Sequence, residues 1–153
     1  MDRSDIKVDF VGVEQALAED GVCATLTNGG SMWPLFKTHR DIIIVEKITQ
    51  PLKRYDAVLY KVEDKFVLHR IIGYKKETDE YIIRGDNTFV KEYVRADSII
   101  AVLAAFRRKS RYKTVSSISY KAYTRLWLLI YPLRYLVHKL ISVLSKAKRI
   151  LFK

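Results

Sequence analysis

Several things are scarce in this chain of 153 residues, and each scarcity excludes something. There is one cysteine, Cys23, which rules out a disulfide framework and any multi-cysteine zinc site. Acidic residues stop at Asp97. Residues 98–153 hold 13 Lys and Arg and no Asp or Glu, whereas residues 1–97 hold 15 basic against 17 acidic residues. The net charge of +11 therefore belongs to the C-terminal third, and the chain reads as a near-neutral body with a basic tail rather than a uniformly basic nucleic-acid binder. The N-terminus, MDRSDIKVDFVGVEQ, lacks an apolar stretch of seven or more, so no secretory signal peptide is expected. There is no internal repeat and no low-complexity segment. An apolar content of 49% with 29% charged residues excludes a disordered chain, and the length suits one domain with a sizeable core.

What is present is mostly strand chemistry. A short helix is expected over Glu14–Asp20, ending at Gly21. Val22–Thr27 is a β-rich run closed by the turn signal Asn28-Gly29-Gly30. Asp41–Val45 and Ala57–Tyr60 are short apolar runs separated by the turn and charge chemistry of Pro51–Asp56. Phe66–Ile72, Glu80–Arg84 and Ser98–Phe106 follow, with Gly73–Asp79 as a charged loop. Short strands without intervening helices predict a mainly β body, sheet or barrel-like, over residues 1–106. From Arg107 the composition changes. Arg107–Lys113 reads as a basic junction, Ser116–Tyr131 as helix up to Pro132, and residues 107–153 together as a basic amphipathic helical tail.

Three patches in the β body carry candidate chemistry. The first is Gly29-Gly30-Ser31-Met32-Trp33-Pro34, where two glycines allow a sharp turn with exposed amide N–H groups, a setting for a nucleophile beside an oxyanion site. Its plainer reading is a loop whose Met32, Trp33 and Pro34 plug the core. The second is His69-Arg70. Strand alternation sets Val67, His69 and Ile71 on one face and Phe66, Leu68, Arg70 and Ile72 on the other. Both faces are otherwise apolar, so His69 is expected to be buried and neutral, the form that accepts a proton; a structural histidine with Arg70 paired to a carboxylate is the alternative. The third is Arg84-Gly85-Asp86-Asn87, followed by Glu92, which taken singly is ordinary turn chemistry.

Taken in order, these three patches resemble the signal peptidase and LexA-like serine peptidase superfamily. They stand here as GGSMWPLFKTHRDIIIVEK, then YDAVLYKVEDKFVLHRIIGY, then YIIRGDNTFVKEYV, covering Val22–Phe106. Without an N-terminal span the chain is similar to the compact bacterial members. The resemblance implies a serine endopeptidase with Ser31 as nucleophile and His69 where bacterial members have a lysine base, a histidine being the choice of the endoplasmic-reticulum and archaeal-type enzymes. An imidazole starts near about 6.5 and needs far less tuning than a lysine. It does need an orienting acid, and either Asp86 or Glu92 could serve. Gly29, Gly30, Met32 and Pro34 would form the oxyanion and substrate loop, and Arg70 a structural pair. Gly29 stands where many bacterial members have a hydroxyl donor, leaving main-chain amides such as the Ser31 N–H for the oxyanion. Arg40 replaces the glycine of a usual Gly-Asp turn, with Asp41 kept. His39, in the charged stretch Lys37–Asp41, is read as a solvated surface residue rather than a rival base.

No metal or cofactor is expected. The implied partner is an extended peptide or precursor protein, bound as an added strand. A non-catalytic peptide-binding or membrane-attached adaptor on the same scaffold is the alternative. A self-cleaving LexA-like regulator is a weaker one, since no DNA-binding helix pair is read ahead of the β body. In the tail, Leu126–Leu144 is apolar at 14 of 19 positions but holds Pro132, Arg134, His138 and Lys139. Each cation at mid-membrane would cost about 2.5–3.5 kcal/mol, so lying on an anionic membrane surface through residues 114–153 fits better than crossing it. The other reading packs this helix on the β body with its basic face in water. Wheel positions from Arg134 to Lys153 sort basic and polar residues from Leu133, Leu136, Val137, Leu140, Val143, Leu144 and Leu151. The expected location is cytoplasmic, peripherally membrane-attached, with no nucleic-acid partner.

Overall fold

The structure, a computed structural model, describes residues 12–63 and 65–151, with side chains described as far as Ser145. The N-terminal stretch read for a leader, the side chains of 146–151 and the wheel positions of Phe152 and Lys153 lie outside the described residues. Helix α1 (Val13–Asp20) ends where Gly21 adopts φ +72° and returns its N–H to the Leu17 carbonyl at 3.1 Å, a left-handed cap that glycine enters without penalty. The strands follow as β1 (Val22–Leu26), β2 (Ile42–Glu46), β3 (Ala57–Val62), β4 (Lys65–Lys75), β5 (Glu80–Arg84), β6 (Glu92–Arg95), β7 (Ile99–Arg108) and β8 (Arg111–Thr114). Helices α2 (Ile118–Leu129) and α3 (Tyr131–Leu151) close the chain.

The protein is mainly β: an open antiparallel sheet with C-terminal helices. Its order is β1-β2-β7-β3-β4-β5-β6, with β8 paired to β7 beyond the end of β3. Continuous apolar runs such as Ala57–Tyr60 arise because both faces of the central strands are covered. Ala57 and Leu59 point to a cluster with Met32, Phe36, Val45 and Phe106, while Val58 and Tyr60 point to one with Ile71, Ile83 and Ile99. Each face thus has its own small core, and β3 and β4 divide the chemistry between them.

Strands run beyond the expected boundary at residue 106. Arg107 and Arg108 complete β7, and most of the supposed basic junction is the β7–β8 hairpin, where Arg107 pairs with Tyr112 and Phe106 with Lys113. Charge masks a hairpin in sequence, but at a sheet edge long cations keep their heads in water while the backbone pairs. Strand β6 and the extension of β4 to Lys75 were also unexpected. Pro132 is in the first turn of α3, where its missing N–H costs nothing, so it opens one helix while α2 stops three residues earlier.

Candidate active site

Strand register sorts the titratable groups. In the β3–β4 pair Val58 faces His69 and Tyr60 faces Val67, so Tyr60 and His69 are diagonal neighbours on one face. In β4–β5–β6, Ile71 pairs with Ile83 and Ile83 with Glu92, which carries Glu92 to that face too. Arg70 lies between Ala57 and Arg84 on the opposite face, and Asp86 follows Arg84 by two residues.

On the first face the His69 ring is buried, and its Nδ1 lies 3.1 Å from Glu92 Oε1 and 2.9 Å from the Tyr60 hydroxyl. That hydroxyl donates to Glu92 Oε2, so both partners of Nδ1 act as acceptors. The neutral ring therefore keeps its proton on Nδ1 and leaves Nε2 with a free lone pair. Burial pushes the imidazole below its ordinary value, outweighing the opposing pull of Glu92 and Asp86. Burial, and then the hydrogen bond and charge of Glu92, push the Tyr60 phenol far up, so it stays a donor.

Nε2 faces the serine loop. A Cβ built on Gly85 would meet the Ser31 carbonyl at 2.7 Å and His69 Nε2 at 3.0 Å, so the serine main chain and the imidazole flank one point that only glycine leaves open. The loop carbonyls are tied down from outside. Gly29 O accepts from Thr38 Oγ1 at 2.6 Å, Gly30 O from Trp33 N at 3.1 Å and Asn87 Nδ2 at 3.2 Å, and Ser31 O from Asn87 N at 2.7 Å. The Ser31 N–H meets no acceptor among the described residues, and neither does the Ser31 hydroxyl, His69 included. Gly29 takes φ +82°. Of the expected core plug, Met32 is buried at 5% exposure but Trp33 is 53% exposed, because the turn of residues 31–35 aims them in different directions.

Ser31 lines a cleft of about 560 Å³ with β1 on one wall, residues 65–68 of β4 on the other and Met32, Phe36 and Leu59 below. Among the described residues, β1 pairs only with β2, and residues 65–69 pair only with β3. Among the described residues, each wall thus has one strand edge without a sheet partner.

On the second face Asp86 is fully engaged elsewhere. Arg70 Nε and NH2 reach its two oxygens at 2.7 and 2.8 Å, both side chains 1% exposed, and the Tyr123 hydroxyl adds a donor at 3.2 Å. Arg70 also donates to Tyr55 O at 2.9 Å and Tyr120 Oη at 3.0 Å. Burial works against its charge, but Asp86 and Tyr120 outweigh that and its pKa rises. The Asp86 carbonyl accepts from Trp127 Nε1 and Arg134 NH2, each at 2.8 Å. Of the two expected carboxylates, Glu92 is thus the one at Nδ1, and Asp86 clamps the loop. His39 is exposed, and Arg40 grips the buried Asp41 in the altered turn at 2.7 Å.

Sequence reasoning missed Tyr60, which looked like one residue of an apolar run, and Tyr120, Tyr123, Trp127 and Arg134, which looked like tail. Their polar tips reach the Arg70–Asp86 pair across 37 to 50 residues of sequence, a relation no local pattern carries. No protein-family model matches the chain, and no curated protein matches it.

Proposed function

We propose that the chain is a serine endopeptidase of the signal peptidase-like superfamily, acting on an extended precursor or signal peptide. The observation that carries it is His69, with Glu92 at Nδ1 and Nε2 turned to the Ser31 loop across Gly85. Ser31 Oγ attacks the peptide carbonyl while His69 Nε2 takes its proton. The oxyanion meets the Ser31 N–H, whose neighbouring carbonyls are held away by Thr38 and Asn87. The imidazolium then passes its proton to the leaving amine, and water deprotonated by the same nitrogen hydrolyses the acyl-serine. Glu92 stabilises the transient imidazolium, and Tyr60 holds Glu92. A substrate strand fits the cleft through main-chain hydrogen bonds to β1 and to residues 65–69, with a small side chain over Met32 and Leu59.

The test is mass spectrometry of extended peptides, with small residues around the scissile bond, incubated with the native chain, Ser31→Ala and His69→Ala. Cleavage by the native chain and its loss in both variants is expected; undiminished cleavage by Ser31→Ala defeats the assignment. The absence of a hydrogen bond between the Ser31 hydroxyl and His69 favours the second reading, a non-catalytic peptide-binding adaptor. That reading predicts peptide binding without cleavage, equally strong in Ser31→Ala.

A further inference from the structure

The C-terminal helices carry their amphipathic pattern inside out. At 100° per residue, Tyr131, Arg134, Tyr135 and His138 share one side of α3, and this is the side that meets the body. Arg134 donates to the Asp86 carbonyl, His138 stacks on Phe89 with ring centroids 4.3 Å apart, and Tyr131 and Tyr135 each lie 5.9 Å from the same ring. Arg84 sits 3.4 Å over the face of Tyr131. The leucine side points away: Leu133, Leu136, Leu140 and Leu144 are between 55% and 67% exposed. Helix α2 does the same, burying Tyr120 and Thr124 and exposing Leu126 and Leu129. A helix that completes a globular core buries its leucines and wets its cations. Here the apolar stripe is left for something else.

Charge decides what covers it. From residue 98 onward the chain has no acidic group, and Lys121, Arg125 and Lys139 are exposed on these same helices. A second copy laid against the stripe would bring two segments of like charge together, whereas an anionic bilayer offers both hydrocarbon and negative headgroups. No single described helix is long and apolar enough to cross a membrane; α2 and residues 131–145 of α3 reach that length and apolarity only as a pair, which is bent by 51°. We propose that α2 and α3 dock in the plane of an anionic lipid bilayer, leucines in the acyl boundary and cations among headgroup phosphates. The inner side of the docked helices holds the Asp86 carbonyl, so the bilayer lies against the support of the Gly85–Asn87 loop. This inference stands without the peptidase assignment.

The test is co-sedimentation of the full chain with vesicles of phosphatidylcholine alone or mixed with phosphatidylglycerol. Two further forms are compared, L136E/L140E/L144E and the charge reversal K121E/R125E/K139E. The native chain is expected to pellet with the mixed vesicles, at least about tenfold more strongly than with neutral ones, and less at high salt. The leucine variant, whose replaced side chains are exposed, is expected to keep its thermal midpoint and lose binding to both. Charge reversal is expected to remove the preference for the anionic lipid, which keeps the inference testable should the leucine variant misfold. Unchanged pelleting of both variants, or no pelleting of the native chain, overturns it. So does resistance to alkaline carbonate extraction, which signals a crossing, or a dimer that the leucine variant dissolves without any lipid binding, which signals a second copy.

Discussion

His69 and Arg70 are adjacent in the chain and opposite in chemistry. His69 sits on a face where its carboxylate partner, Glu92, remains 36% exposed, and where burial holds the ring neutral. Arg70 sits on the other face against Asp86, both 1% exposed, where each guanidinium nitrogen has a partner. One pair holds a half-open imidazole and carboxylate, and the other holds a charge that its burial and partners keep on Arg70. A buried, fully bonded ion pair is costly to break, so it suits holding a loop; a half-open histidine–carboxylate pair suits moving a proton. The strand pleat alone separates the two.

Breaking the first face should abolish chemistry and spare the fold. On the proposed function, Ser31→Ala is expected to lower the rate about 10⁶-fold, with the thermal midpoint unchanged. Breaking the second should do the reverse: Asp86→Ala leaves the Arg70 charge buried and is expected to cost about 3–5 kcal/mol in denaturant unfolding. Equal stability loss in both variants would erase the distinction. Gly85→Ala touches the two faces at once. Its Cβ must displace the Ser31 carbonyl, so we expect about 10²-fold lower kcat/KM and a stability loss of about 1–3 kcal/mol. Tyr60→Phe removes one hydrogen bond from Glu92, and about tenfold lower kcat is expected, corresponding to about 1.5 kcal/mol.

The smallest effect is in pH. Because the folded pKa of His69 is depressed, the neutral ring contributes stability above the ordinary histidine value, and that contribution is lost as pH falls through the lower folded value. The acidic limb of kcat/KM should accordingly lie below about 6.5. Glu92→Gln removes a charge that pulls this pKa upward, so the limb should move further toward acid while the rate drops. A limb that stays put would separate Glu92 from His69.

Much of the body was legible in sequence. The apolar runs at 42–45, 57–60, 80–84 and 99–106 mark strands because each needs apolar side chains on a covered face, and Gly21 marks the end of α1 because its φ is positive. Strands β6 and β8 were not legible. They are four residues each, dominated by charged or exposed side chains, and become strands only because β5 and β7 offer open edges. At the site, the order of Ser31, His69 and Gly85-Asp86-Asn87 could be read, whereas the choice between Asp86 and Glu92 could not. That choice depends on Ile71 pairing with Ile83 and Ile83 with Glu92, which brings a residue of a separate strand to the His69 face.

The residues themselves determined where the longer apolar strands lie, where charge accumulates and that α3 has one apolar and one polar side, since each follows from local side-chain chemistry and the periods of strand and helix. Which carboxylate meets the imidazole, and which side of α3 faces the body, was decided only when strands far apart in sequence came into register. Phe89, Arg84 and Asp86 offered rings, a cation and a carbonyl that tyrosine, histidine and arginine satisfy better than leucine, and so the leucines were turned outward.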